Sequence, residues 1–243
     1  MNPIIWWSIS ALCAFFVKGL CGFANTLVLT SMLSFSGTNN IDISPVDLLI
    51  GLPPNAIMVA KERKNIQWKV VLLPIILVLL GDIPGILFLK NMDAGVLKIV
   101  CGGVIVLVGV EMLLREMKLY RMGESKGVLV FIGILSGVLC GLYGIGALLS
   151  AYVSRATKDS HAFKANICTI FLTENIFRVV MYIFLHIFTL ESLKWTALIL
   201  PSMLAGLFLG MLAAKKLNEK VAKRVVIIML ILSGVAMILT NVL

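Results

Sequence analysis

Charge is scarce in this 243-residue chain. Asp, Glu, Lys and Arg together make up 14% of it, against 60% hydrophobic residues and a mean hydropathy of +1.05. An ordinary globular domain carries about 25% charged and about 45–50% apolar residues. So little polar surface cannot coat a soluble domain of this size, and the apolar surplus must face lipid. The shortage excludes a soluble enzyme, a secreted disulfide scaffold, a disordered chain and a nucleic-acid module. Polar–apolar alternation is also missing, which argues against a membrane β-barrel. Histidine is limited to His161 and His186, neither spaced as a ligand to a cysteine or an acidic cluster, so no metal site is expected. The five cysteines (Cys13, Cys21, Cys101, Cys140 and Cys168) lie inside apolar runs without a C-x-x-C pair, and read as small packing residues. G-x-x-x-x-G-K-[ST] and H-E-x-x-H are both absent. That argues against ATP hydrolysis and against an intramembrane enzyme, and implies no cofactor. The first residues, Met1 to Phe16, have no basic n-region and no A-x-A exit, and are read as part of the first membrane element.

What is present is a series of eight hydrophobic stretches, at 4–35, 46–60, 70–89, 95–114, 127–154, 165–187, 195–214 and 222–242. Most are close to the ~20 residues that a spanning helix needs. The first and fifth are longer. Each is interrupted near its middle, by Lys18-Gly19-Leu20-Cys21-Gly22-Phe23-Ala24-Asn25 and by Cys140-Gly141-Leu142-Tyr143-Gly144-Ile145-Gly146. Gly19 and Gly22 match Gly141 and Gly144 at an offset of 122 positions. Leu73-Pro74 matches Leu200-Pro201, Gly81 and Gly85 match Gly206 and Gly210, and Asp93–Val100 matches Asn218–Val225. The order is consistent with an internal duplication: residues 1–120 form a first membrane repeat and 121–243 a second. Pro53-Pro54 is expected to break the second stretch.

The net charge is +9, and its location matters more than its size. Sixteen of the 21 Lys and Arg fall in four segments, 61–69, 115–126, 155–164 and 215–224, whereas the loop 36–47 has none and contains Asp42 and Asp47. Cytoplasmic loops are rich in Lys and Arg. If all eight stretches crossed the membrane, 155–164 and 215–224 would lie opposite 61–69. If the fifth stretch turns at its glycines and leaves on the side it entered, all four basic segments fall inside. The expected fold is therefore an all-α polytopic membrane protein of two inverted repeats, each a broken, re-entrant helix pair plus three transmembrane helices, with both termini outside. Eight full crossings with kinks at the glycines is the alternative.

A broken helix in lipid leaves backbone groups unpaired, which is tolerated where the break lines a cavity. A half-helix that begins after Gly22 or Gly144 aims free N–H groups and its dipole at that cavity, an arrangement that suits an anion. The competing explanation for such glycines is close helix packing. Lys18, Asp82, Glu111, Glu174 and Arg178 stand inside apolar runs, where ionisable groups are costly and face a cavity or a partner. Glu174 and Arg178 are four residues apart and share a helix face, so they form either a self-satisfied pair or an anion contact with its counter-charge. Asp82 either caps a kink at Gly81-Asp82-Ile83-Pro84-Gly85 or partners Lys18. Asn55 satisfies freed backbone or lines the path.

Two local patterns point to a family. Gly137-Val-Leu-Cys-Gly141-Leu-Tyr-Gly144-Ile-Gly146 resembles the G-x-x-x-G-x-x-G-I-G-G segment that opens the second half of proteins in the sulfite exporter TauE/SafE family, also called the 4-toluene sulfonate uptake permease (TSUP) family. Phe163-Lys-Ala-Asn166, with Glu174-Asn175-Ile-Phe-Arg178-Val-Val-Met-Tyr182, resembles its F-R-A and N-x-x-R-x-x-x-Y region, and Ile66-Gln67-Trp68-Lys69 is similar to its basic loop. The chain departs from the family at the first break, where Gly22-Phe-Ala-Asn25 replaces a glycine run followed by proline, and at Ala147, where a further glycine is typical. The resemblance implies a multi-pass transporter of the cell membrane for sulfite, sulfonates or related sulfur-containing anions.

The expected function is secondary transport of a small anion by alternating access between the two repeats. The expected substrate-binding residues are Lys18, Gly22, Asn25, Gly144, Gly146, Asn175 and Arg178. Glu174 or Asp82 is expected to carry a coupling proton. The expected partners are the anion and the lipid bilayer, with no nucleic acid and no ATP. A non-transporting membrane subunit is the alternative that sequence leaves open.

Overall fold

A computed structural model describes residues 3–91, 126–144 and 159–215 continuously, and scattered positions within 102–117, 146–157 and 224–239. The described residues are helical, without strands. They form α1 (Pro3–Cys21), α2 (Asn25–Phe35), α3 (Asn40–Glu62), a 3-10 turn (Arg63–Asn65), α4 (Trp68–Asn91), α5 (Lys126–Tyr143), α6 (Ser160–Phe184) and α7 (Leu190–Ala214). Five of these helices are long and apolar enough to cross a membrane. Most of the fourth and eighth stretches, Glu111, Ala147, Asp93–Val100, most of Asn218–Val225 and most of the basic segments 115–126 and 215–224 lie outside the described residues.

The chain divides into two compact units. One comprises Met1–Ile43, Met92–Glu124 and Leu198–Leu243; the other comprises Ser44–Asn91 and Ser125–Ala197. Each draws segments from both halves of the sequence.

In the first unit, α1 and α2 form an antiparallel pair. The Trp6 indole N–H, near the start of α1, donates to the Met32 carbonyl near the end of α2, at 3.0 Å. The first long stretch therefore doubles back at its glycine break. The end of α2 follows from Gly37. At φ 80° it turns the chain left-handed and lets the Thr38 N–H reach the Leu33 carbonyl at 3.2 Å, a Schellman-type stop. The loop expected at 36–47 is shorter than its polar residues suggested. The α3 helix already begins at Asn40, and Asp47 is a buried helical residue.

In the second unit, α3 runs unbroken through Pro45, Pro53 and Pro54. The expected break at Pro53-Pro54 is thus corrected. Each proline removes one backbone donor, a loss that neighbouring groups in a membrane bundle can absorb. The α4 helix likewise continues through Pro84. Its outer face carries Trp68, Leu72, Ile76, Leu80, Leu87 and Phe88, all exposed at helical spacing, the stripe expected against lipid. The start of α6 is set by Asp159, whose carboxylate accepts from the Ala162 N–H at 2.8 Å. A reciprocal pair starts α7, with the Thr189 N–H donating to Ser192 Oγ and the Ser192 N–H to Thr189 Oγ1.

The basic segment 61–69 lies beside the start of α6. His161 Nδ1 is 3.1 Å from Glu62 Oε2, and the Gln67 N–H donates to Asn166 Oδ1 at 2.7 Å. Two of the motif segments noted in the sequence, Ile66–Lys69 and Phe163–Asn166, are therefore pinned to one another.

Candidate substrate site

Two sorts of glycine are separated by the structure. Gly81 and Gly85 of α4 meet the backbone of α5: a Cβ on Gly81 would collide with the Ile134 carbonyl oxygen, and one on Gly85 would sit 2.5 Å from that of Val138. In the first unit, a Cβ on Gly206 or Gly210 of α7 would collide with the carbonyl oxygens of Leu12 and Phe16 on α1. A Cβ on Gly141 would lie 2.6 Å from the Asp82 carbonyl oxygen, and one on Gly19 2.5 Å from that of Leu207. The contacts recur at the offsets of the sequence matches. These glycines pack helices, as small residues do in membranes.

Gly22 and Gly144 have a different task. Their φ values are 87° and 68°, in the left-handed region that glycine occupies without strain. The Gly22 N–H donates to the Lys18 carbonyl at 2.7 Å and the Gly144 N–H to that of Cys140 at 2.6 Å. Past each break a helical bond resumes at the same interval, from the Val28 N–H to Ala24 and from the Ser150 N–H to Gly146. Both breaks are real interruptions of helix, built alike.

At the first break, Lys18 and Asn25 are both buried. Lys18 Nζ donates to Asn25 Oδ1 at 3.0 Å, and Asn25 Nδ2 to Thr26 Oγ1 at 3.3 Å. Three expected site residues of the first unit, Lys18, Gly22 and Asn25, are thus gathered at one break.

In the second unit, one face of α6 carries Glu174, Arg178 and Tyr182, spaced four apart, so they stack along the helix. Arg178 is 1% exposed and Tyr182 is fully buried. Arg178 Nη1 donates to Glu174 Oε1 at 3.1 Å. Its Nη2 donates to Ser44 Oγ on α3 at 2.9 Å and to Tyr182 Oη at 3.1 Å. Ser44 and Tyr182 are themselves 2.8 Å apart. The Nε has no hydrogen-bond partner among the described residues.

Asp82 of α4 is 0% exposed and lies within electrostatic reach of both Glu174 and Arg178. Neither of its carboxyl oxygens has a hydrogen-bond partner among the described residues. Cys140, in the last turn of α5 before the break, is within reach of the same three charges. Gly146, just past that break, is covered by the Phe171 ring, three residues before Glu174 on α6. The second break and the buried charges therefore belong to one cluster. Asn175 is buried, but one residue on from Glu174 it points about 100° round the helix.

Ser44 was missed in the sequence, since a lone serine near a helix start carries no signal. Cys140 was read as packing alone. Tyr182 is marked in the sequence only as the end of the family-like N-x-x-R-x-x-x-Y pattern. No group of three or more His, Cys, Asp or Glu is placed to hold a metal ion, among the described residues.

This cluster offers a guanidinium, two hydroxyls and two carboxyls, secluded from water and placed at a helix break. That is the equipment of an ion-handling site in a bundle interior. No match was found among curated proteins or solved structures. The family model of the sulfite exporter TauE/SafE matches residues 7–237, nearly the whole chain, and the protein belongs to that family of membrane transporters.

Proposed function

We propose that this chain is a secondary transporter of small anions, with sulfite and sulfonates as the substrate class, working by alternating access between two inverted repeats in the cell membrane. The observation that carries this reading is the buried Arg178 at the second break, held by Glu174, Ser44 and Tyr182 with one nitrogen unpartnered. Arg178 is the principal anion contact. Asn175 and the backbone at Gly144 and Gly146 contribute in the same unit, and Lys18, Gly22 and Asn25 serve the other break. Glu174 or Asp82 carries a coupling proton. The repeated contacts of Gly19, Gly85, Gly141 and Gly210 support the duplication.

The test is flux. Purified protein in proteoliposomes is expected to move sulfite or methanesulfonate down an imposed gradient, and liposomes without protein are not. Absence of flux for sulfite, sulfonates, sulfate and small carboxylates alike would sink the proposal in favour of a non-transporting subunit.

The re-entrant arrangement of the fifth stretch has its own support. The Glu62–His161 and Gln67–Asn166 bonds join the segments on either side of that stretch, which supports the same-side placement of the re-entrant arrangement over eight full crossings. Single cysteines at Arg63 and Ala156, with the native cysteines replaced, are expected to react with an impermeant maleimide from the cytoplasmic side only. Labelling of the two from opposite sides would reject this topology, and with it the outside placement of both termini.

A further inference from the structure

We infer that Asp82 is the proton-binding group of this site, and that an anion binds at Arg178 only together with that proton. The inference rests on the anion-transport reading above and specifies what is carried with the anion.

The two buried carboxyls are not equivalent. Glu174 accepts directly from Arg178 Nη1. Asp82 is fully buried, and both of its oxygens lack a hydrogen-bond donor among the described residues. An ionised carboxylate held that way in a low-dielectric interior is strongly disfavoured, whereas a protonated one needs no counter-charge. The groups facing Asp82 are Glu174 and Arg178 on α6, and Cys140 on α5 lies among the same charges. Tyr182 accepts a hydrogen bond from the Arg178 guanidinium. The only cation in that set is Arg178, and Glu174 already engages it.

Charge counting then couples the two ligands. With Asp82 protonated, the empty cluster is neutral, Arg178 against Glu174. An arriving monoanion adds one negative charge. Were Asp82 ionised as well, one guanidinium would balance three negative charges in a buried cluster, where each repulsion is poorly screened. The unpartnered Arg178 Nε is a donor open to the anion, while Nη1 and Nη2 hold Glu174, Ser44 and Tyr182. A sodium ion in place of the proton would need about six oxygen ligands, as hard cations do. Among the described residues, no group of three or more His, Cys, Asp or Glu is placed to hold a metal ion.

The experiment uses the full chain purified in detergent and methanesulfonate as the probe, because a sulfonate stays ionised across the working range and releases no proton of its own. Calorimetric titration in two buffers of different ionisation enthalpy counts the protons taken up per anion bound. One proton taken up is expected, with affinity falling about tenfold for each pH unit above the titration. In Asp82→Asn, binding is expected to persist and its pH dependence to vanish. Binding by the unaltered protein with no proton uptake overturns the inference. So does a pH dependence that survives in Asp82→Asn, or binding lost when sodium is replaced by choline. If neither methanesulfonate nor sulfite binds at any pH, the inference falls together with the anion-site reading. Binding without proton linkage overturns the inference alone.

Discussion

Replacing Arg178 by alanine is expected to abolish anion flux and to destabilise the protein by about 3–5 kcal/mol. The size comes from what would be left behind. Glu174 would remain buried without its cation, and Ser44 and Tyr182 would lose the donor they share. Breaking one partner out of a buried ion pair has a cost of that order, whereas replacing both partners with apolar groups is often neutral. The double variant Arg178→Met/Glu174→Met is therefore expected to recover most of the thermal stability in detergent and none of the transport. Arg178→Lys keeps the charge but cannot hold Glu174 with one nitrogen and two hydroxyls with another, so reduced flux is expected. Normal flux by Arg178→Ala in proteoliposomes, with folding verified by its melting curve, would remove Arg178 from the substrate path.

The second large effect concerns the helix contact that carries the site. Gly81→Val and Gly137→Ala are expected to lower stability by about 1–3 kcal/mol or more, as overpacking of a tight interior does. Helix propensity alone predicts the reverse sign for Gly137→Ala, a gain of about 0.5–1 kcal/mol. The packing argument wins because the added Cβ at Gly137 would collide with the Val78 carbonyl oxygen and lie 2.8 Å from the Gly81 Cα. Backbone cannot rotate aside as a flexible side chain can, so α4 and α5 must separate. Since Asp82 follows Gly81 directly, separation also shifts its carboxyl relative to Glu174 and Arg178. Thermal unfolding and flux are both expected to fall. An unchanged melting temperature in both variants would show that the two helices are not held this closely.

The two halves of the chain share a scaffold but not its chemistry. The position of Lys18 at the first break is taken by Cys140 at the second, and that of Leu207 beside Gly19 by Asp82 beside Gly141. The first unit carries a buried amine held by an amide, the second an arginine with two acids. The matching helices thus share their glycine contacts while their polar residues differ.

Much of this was legible in the residues themselves. Glycine marks where a helix can stop inside an apolar run, because a positive φ at Gly22 or Gly144 excludes most side chains. A four-residue spacing places Glu174, Arg178 and Tyr182 on one face by helix geometry alone. Proline misled at Pro53-Pro54, because sequence does not reveal what surrounds a helix that has lost two donors. Asp82 was equally open. Its kink-capping role had no support once α4 proved continuous, and its neighbours on α6 lie more than ninety positions away.

By itself, then, the sequence determined the class of molecule, the two interruptions and the face of α6, since each depends on composition or on spacing within one helix. Which helices meet was decided only in three dimensions. A helix such as α4, apolar nearly all round, does not announce which side will face lipid and which will press against α5. That choice rests on backbone contacts between glycines more than fifty residues apart. The same contact helps to place Asp82 within electrostatic reach of Glu174 and Arg178, and so gathers three of the chain's few interior charges in one unit.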